Sequence, residues 1–272
     1  MFLGRSIATI PAFISLCTTT RATASKVYAQ PAPKPAKPQK LLTIGGNPKI
    51  DKSDRAGLGY FTAVLHLAPA KLSGVNLCPS ASAGCIEACL NTAGRGQMNT
   101  VQTARFKRSR FMIENRQGFF DQLRKEIRAF IKRCKKLGLN PALRLNATSD
   151  VMWELSGIMA EFPTVQFYDY TAIEARMTAN LPENYHLTFS LKENNLDKAL
   201  RVLSHGGNVA VVFRNKLPKY WNGYRVIDGL AHDLRFLDGK NVVVGLLAKG
   251  KAKRDASGFV QDVAEGVELL SA

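Results

Sequence analysis

From residue 140 onward the chain alternates short apolar runs with stretches of helical periodicity. Residues 142–146, 165–170, 186–190, 209–214 and 242–247 are apolar and partly β-branched, the composition of strands buried on both faces. Between the first four of these runs, apolar side chains recur at helical spacing over residues 153–162, 173–180 and 196–205. Strands separated by helices of this length predict right-handed crossovers and a parallel sheet. Residues 224–228 and 234–236 read as short strands joined by turns. Upstream, 60–66 reads as a first strand. Residues 100–137 read as helical, with Phe106, Phe111, Phe119, Leu123, Ile127 and Ile131 on the apolar stripe and Gly118 dividing the region into two helices. The pattern predicts an α/β fold with a mainly parallel sheet, as a partial or full β/α barrel or an open sheet.

Composition sets the limits of the folded part. Of the 272 residues, 46% are hydrophobic, enough for a sizeable core, and the formal net charge is +17. No apolar run reaches the roughly 18 residues of a membrane span. The first fifty residues hold Arg5, Arg21, Lys26, Lys34, Lys37, Lys40 and Lys49 and no acidic residue. Residues 1–30, rich in Ser, Thr and Ala, fit an organelle transit peptide, a weak secretory segment around residues 7–16, or else an over-extended start codon or a plain disordered tail. Prolines at 31, 33, 35 and 38 mark a linker. The expected organisation is a disordered extension over 1–40 and a single α/β domain over 41–272, cytoplasmic in a host cell unless the extension directs organelle targeting or export.

Three of the five cysteines, Cys78, Cys85 and Cys89, fall within twelve residues. Three thiolates on an iron-sulfur cubane leave one iron free of protein ligands, where a small molecule can be held and reduced. Structural zinc asks for four ligands and tighter paired spacings, and neither His66 nor Cys134 stands at a recognisable spacing for the fourth; zinc and plain packing of apolar thiols remain the alternatives. The odd cysteine count argues against a disulfide framework.

Functional residues of parallel α/β folds gather at the carboxyl ends of strands. Polar residues follow each predicted strand: Asn146, Ser149 and Asp150; Asp169; Ser190 and Lys192; Arg214; Lys249. Asp150, Asp169 and Lys192 are the catalytic candidates, and two carboxylates can work as acid and base. Asp150 also fits a plain helix N-cap, with Glu154 in the first turn, and Asn194 fits a cap of the next helix. A carboxylate inside an apolar strand, as Asp169 is, must be paired or solvated. Arg95, between two glycines after the cysteines, suits a carboxylate or phosphate, and with Asn146, Ser149 and Ser190 makes up the expected cofactor-binding set. Residues 105–136 are unusually cationic, which fits either a solvated helix face or a nucleic-acid contact surface and a small-molecule or nucleic-acid-linked substrate.

The run from Leu65 through Cys78-Pro79, Gly84-Cys85, Ala88-Cys89-Leu90 and Gly94-Arg95-Gly96 resembles the phage gene product 88 domain family. Arg144-Leu145-Asn146, Thr148-Ser149-Asp150, Trp153, Phe167 to Tyr170, Asn184 to Ser190, Val226 to Gly229 and Lys249-Gly250 continue it over about residues 41–260. The resemblance implies a phage, prophage or virus-derived gene and no particular reaction. More loosely, the cysteine segment is similar to phage proteins allied to the radical S-adenosylmethionine enzymes, which implies a 4Fe-4S cluster near the end of an early strand and S-adenosylmethionine as co-substrate. Six and three residues separate the cysteines here, against three and two in the usual pattern, and no glycine-rich methionine-binding motif accompanies them.

Overall fold

The protein is described by a computed structural model over residues 39–45 and 48–270. The extension expected over 1–40 therefore lies outside the described residues, except for 39 and 40. Among the described residues, ten strands and seven α-helices follow one another, with 3-10 turns between some of them. They are β1 (Leu42–Thr43), α1 (Pro48–Arg55), β2 (Tyr60–Leu65), α2 (Ala83–Glu87), α3 (Asn99–Glu114), α4 (Arg116–Leu137), β3 (Asn140–Arg144), α5 (Ile158–Glu161), β4 (Gln166–Thr171), α6 (Glu174–Met177), β5 (Tyr185–Ser190), α7 (Leu196–Ser204), β6 (Val209–Phe213), β7 (Tyr220–Trp221), β8 (Tyr224–Asp228), β9 (Val243–Leu247) and β10 (Val260–Gln261).

The strands form one sheet in the order β1-β2-β3-β4-β5-β6-β9-β8-β7, with β10 also on β6. From β2 to β8 in this order every pairing is parallel. Among the named strands of the described residues, the antiparallel pairs are those at the two edges, β1 on β2 and β7 on β8. Among the described residues the two edges do not pair with each other, so the sheet is open and the full barrel is not formed. Because β2 to β6 lie side by side in chain order, right-handed crossovers carry their helices to the same face.

Strand residues alternate between that helix-covered face and the opposite, inner one. Ala63, Leu65, Leu143, Leu145, Phe167 and Leu187 join the main core cluster. Against them α4 buries Phe119, Leu123, Ile127, Phe130 and Cys134, spaced three or four residues apart as a helix stripe requires. Ala142 and Tyr168 face the other way, beside Tyr60 of β2, and Leu234 and Phe236 cover them. Residues 232–238 thus lie across the inner face. The Phe236 ring sits 4.9 Å from that of Tyr60 and 5.5 Å from that of Tyr168. Asp233 accepts bonds from Arg144 at 2.8 Å and from the Tyr170 hydroxyl at 3.1 Å, and its N–H donates to Ser53 Oγ at 2.8 Å.

Several elements differ from the sequence expectation for local reasons. The helix expected over 153–162 is a 3-10 turn, Trp153–Ser156, and then the single turn α5; Gly157 between them takes φ 75°, a left-handed conformation that ends one segment before the next begins. The break between α3 and α4 falls at Asn115 and not at Gly118, because the Asn115 side chain accepts the Gly118 N–H as an N-cap. The strand expected at 234–236 is a 3-10 turn, Arg235–Leu237. The short strands β1, β7 and β10 carry too few residues to show a period.

Candidate three-cysteine site

Residues 67–98, which follow the first parallel strand, lie over the carboxyl ends of the sheet and are fastened there at several points. Asp150 N–H donates to Leu77 O at 2.8 Å, and Thr148 Oγ1 donates to Leu67 O at 2.6 Å, both from the segment after β3. After β5, Lys192 Nζ donates to Ser80 O, and the Glu193 carboxylate accepts Ser82 Oγ at 2.6 Å and Gly84 N–H at 2.8 Å. After β9, Lys251 pairs with Glu87 at 2.9 Å. The fit is closest at Gly84, where a Cβ would fall 2.2 Å from Ser257 Oγ and 2.9 Å from Glu193 Cδ.

Cys78, Cys85 and Cys89 are half-buried free thiols on this loop. Cys78 Sγ accepts the Ala70 N–H at 3.3 Å, and Cys89 Sγ accepts the Asn91 N–H at 3.5 Å. Burial pushes all three thiols up, Cys85 to about 12. The thiols also feel one another: charge on Cys89 raises Cys78 and Cys85, and charge on Cys78 raises Cys85. Unaided, the set is neutral at pH 7. Cationic neighbours work the other way, Lys192 on Cys85 and Arg105 on Cys89. Cationic surroundings are what a thiolate set requires. Among the described residues, no three His, Cys, Asp or Glu side chains are arranged to close on a metal ion.

Arg105 is buried in α3 and reaches the loop through Asn91, whose side-chain oxygen takes its Nη1. Gln102 holds the same turn, accepting from Asn91 Nδ2 at 2.9 Å and donating to Asn91 O at 2.8 Å. The loop exposes Leu72, Val75, Ile86, Leu90 and Met98, so the rim around the cysteines has an apolar surface.

The strand-end candidates divide by what they touch. Asn146 is buried, and its Oδ1 accepts Ser149 Oγ, Val151 N–H and Trp153 Nε1 at 2.9 to 3.0 Å, which shapes the turn after β3. Asp150 is no N-cap; Met152 holds that position, and Asp150 pairs with Arg176 Nη1 at 2.6 Å and accepts Ala172 N–H at 2.9 Å. Asn194 does not cap α7 either, since Asn195 holds that position and turns its Oδ1 to Lys192 N–H. Asp169 lies on the helix-covered face. It accepts Asn146 N–H at 2.6 Å and the Tyr185 hydroxyl at 3.0 Å. Burial pushes its carboxyl up to about 7 against the pull of Arg144 and these bonds. Arg176 joins the two carboxylates: it also binds the Tyr185 hydroxyl and both oxygens of Glu154, at 2.8 Å each. Ser190 O accepts Asn195 Nδ2 at the end of β5, and Arg95 is exposed on the 3-10 turn Gly94–Gln97. Lys192 and Asp150 thus stand beside the cysteine loop. Arg176 and Arg105 were not singled out by spacing, because an arginine in a short or strongly basic helix gives no signal of its burial.

The cationic region 105–136 is partly occupied by its own neighbours. Arg110 pairs with Glu114, and Arg124 makes two 2.7 Å bonds to Glu161. Arg116, Arg128 and Arg133 lie over the rings of Phe120, Phe162 and Phe61. Lys107, Lys125, Lys132, Lys135 and Lys136 remain exposed.

Fold and rim together define the class: an open, singly wound parallel α/β protein whose first parallel strand leads into a loop of three thiols over the carboxyl edge of the sheet. The family model described as Gene product 88 matches residues 39–263, and the chain belongs to this phage family. No curated protein and no solved structure matches the chain. Among the described residues no helix is long and apolar enough to cross a membrane.

Proposed function

We propose that the rim is the catalytic centre of an iron-sulfur enzyme, with Cys78, Cys85 and Cys89 as the cluster ligands. One observation carries this reading: three free thiols from one loop, with the cations of Arg105 and Lys192 acting on Cys89 and Cys85, stand at the carboxyl edge of an open parallel sheet. A cubane spreads its thiolates around a body several atoms across, so it asks for sulfurs that border a common space; a single zinc ion asks them to meet at a point, with a fourth donor. When bound, the cluster would supply one-electron reduction of a molecule held at its open iron, and S-adenosylmethionine is the co-substrate suggested by the looser likeness of the cysteine segment.

The chain's own residues have definable tasks around that centre. Lys192 and Arg105 oppose the rise in thiol pKa that burial imposes, favouring the thiolate forms needed for ligation. Glu193, Lys192 and Asp150 fix the loop to two strand ends, so that the thiols keep their spacing before any cluster arrives. The apolar side chains exposed on the loop would shield the centre from water once a substrate covers them.

Anaerobic reconstitution with ferrous iron and sulfide tests the proposal. The expected product is brown, with iron and acid-labile sulfide in equal amounts and a charge-transfer band that the triple Cys78→Ala, Cys85→Ala, Cys89→Ala variant lacks. A colourless protein free of iron after reconstitution, or one that holds zinc in its place, would overturn it.

A further inference from the structure

Arg105 carries a charge that the fold leaves unanswered. Its side chain is 7% exposed, its Nη1 is bound to the neutral Asn91 amide oxygen, and its Nε has no partner. Among the described residues no carboxylate pairs with it; the acidic group nearest to it in effect is the Cys89 thiol. Two other arginines share the neighbourhood, and both are answered: Arg144 by Asp233 at 2.8 Å, and Arg108 by the charge of Glu126. His66, directly after β2, feels all three guanidiniums, Arg105 most strongly. Burial, and then these arginines, push the imidazole down to about 3, so the ring is neutral and offers one N–H and one bare nitrogen. A buried cation without a counter-charge is costly to a fold, and such a group marks a candidate site for an anion.

We propose that Arg105 and His66 form an oxyanion subsite beside Cys89, which takes a phosphate or carboxylate group of the substrate. A guanidinium presents several N–H donors in a fixed plane suited to such groups, and a neutral imidazole adds one more. Arg144, already paired with Asp233, does not compete for the ligand. The term substrate rests on the cluster reading; the binding of an oxyanion does not, because every residue involved belongs to the cluster-free chain. The net charge of +17 draws anions to the protein in general, so the test must separate this subsite from the surface.

Calorimetric titration of the full-length, cluster-free protein at fixed ionic strength makes that separation. Inorganic phosphate and acetate are the probes, with chloride as the background anion. The expected result is saturable binding of at least one probe at one site per chain, and the stronger of the two identifies the group. Arg105→Gln, which keeps a donor for Asn91, should weaken binding by about tenfold or more. Lys125→Gln, an exposed control on α4, should leave it unchanged. If Arg105→Gln does not fold, His66→Ala takes its place with the same expected loss. No saturable binding of either anion, or binding equal in the wild type and the folded variant, would overturn the subsite and leave Arg105 as a counter-charge to Cys89 alone. Loss of the cluster reading would show as absence of colour, a result independent of this titration.

Discussion

Asp169→Asn removes a single ionisable group from the centre of the sheet, and its effect depends on pH. The wild-type carboxyl is 1% exposed, and burial pushes it from the ordinary 3.8 up to about 7. With the folded pKa above the unfolded one, the native state holds the proton more tightly. The stability this contributes is complete below the ordinary value and is lost as pH rises through about 7. A shift of about 3 units corresponds to about 4 kcal/mol between the fully protonated and fully ionised limits, of which about 2.5 kcal/mol falls between pH 5 and pH 8. Asparagine copies the protonated form, since its oxygen can accept the Asn146 N–H and it does not ionise. Urea unfolding of both proteins at pH 5, 6, 7 and 8 should therefore show the variant gaining on the wild type by about 2.5 kcal/mol across the series. Parallel stability curves would refute the reasoning. They would mean that the Asn146 and Tyr185 bonds offset burial and that Asp169 titrates as an ordinary carboxylate.

Two further substitutions test the parts that hold the rim. Arg176→Met strands Asp150 and Glu154, which it binds at 2.6 and 2.8 Å from a side chain 3% exposed, and should cost about 3–5 kcal/mol. Thermal unfolding should shift down by roughly 6–20 °C, and a shift under about 2 °C would show that the network is dispensable. Gly84→Ala drives a Cβ to 2.2 Å from Ser257 Oγ, so a loss of about 1–3 kcal/mol and reduced iron uptake on reconstitution are expected. Stability and iron uptake both equal to wild type would mean that the loop accommodates the methyl group without moving the cysteines.

The parallel sheet was legible because five of its strands are short apolar runs bounded by polar residues, a pattern that burial on two faces produces. The long helices were legible from the Phe119, Leu123 and Ile127 spacing, and the cysteines from their density. Closure of the sheet was not, since it depends on what the edge strands meet, and β1 and β7 have two residues each. Partners of buried charges were equally hidden. Asp169 announces itself as a carboxylate in an apolar strand, yet its partners Asn146 and Tyr185 stand 23 and 16 residues away and reach it only through the register of β3, β4 and β5. Arg105 looks like one more cation in a basic helix until its burial against Asn91 distinguishes it.

The segment across the inner face also bears on the order in which this chain can assemble. Strands β2 to β6 are neighbours in sequence as well as in space, so each can add to the sheet as soon as it is synthesised. The bond between Ser53 and Asp233 joins positions 180 residues apart and must wait for nearly the whole chain. Until residues 232–238 arrive, the inner surfaces of Ala142 and Tyr168 face water beside the unpaired guanidinium of Arg144. A nascent chain halted before residue 232 would thus present β1 to β6 without β9, which joins β8 and β7 to them, and with an apolar, aggregation-prone hollow that only the closing stretch of the chain fills.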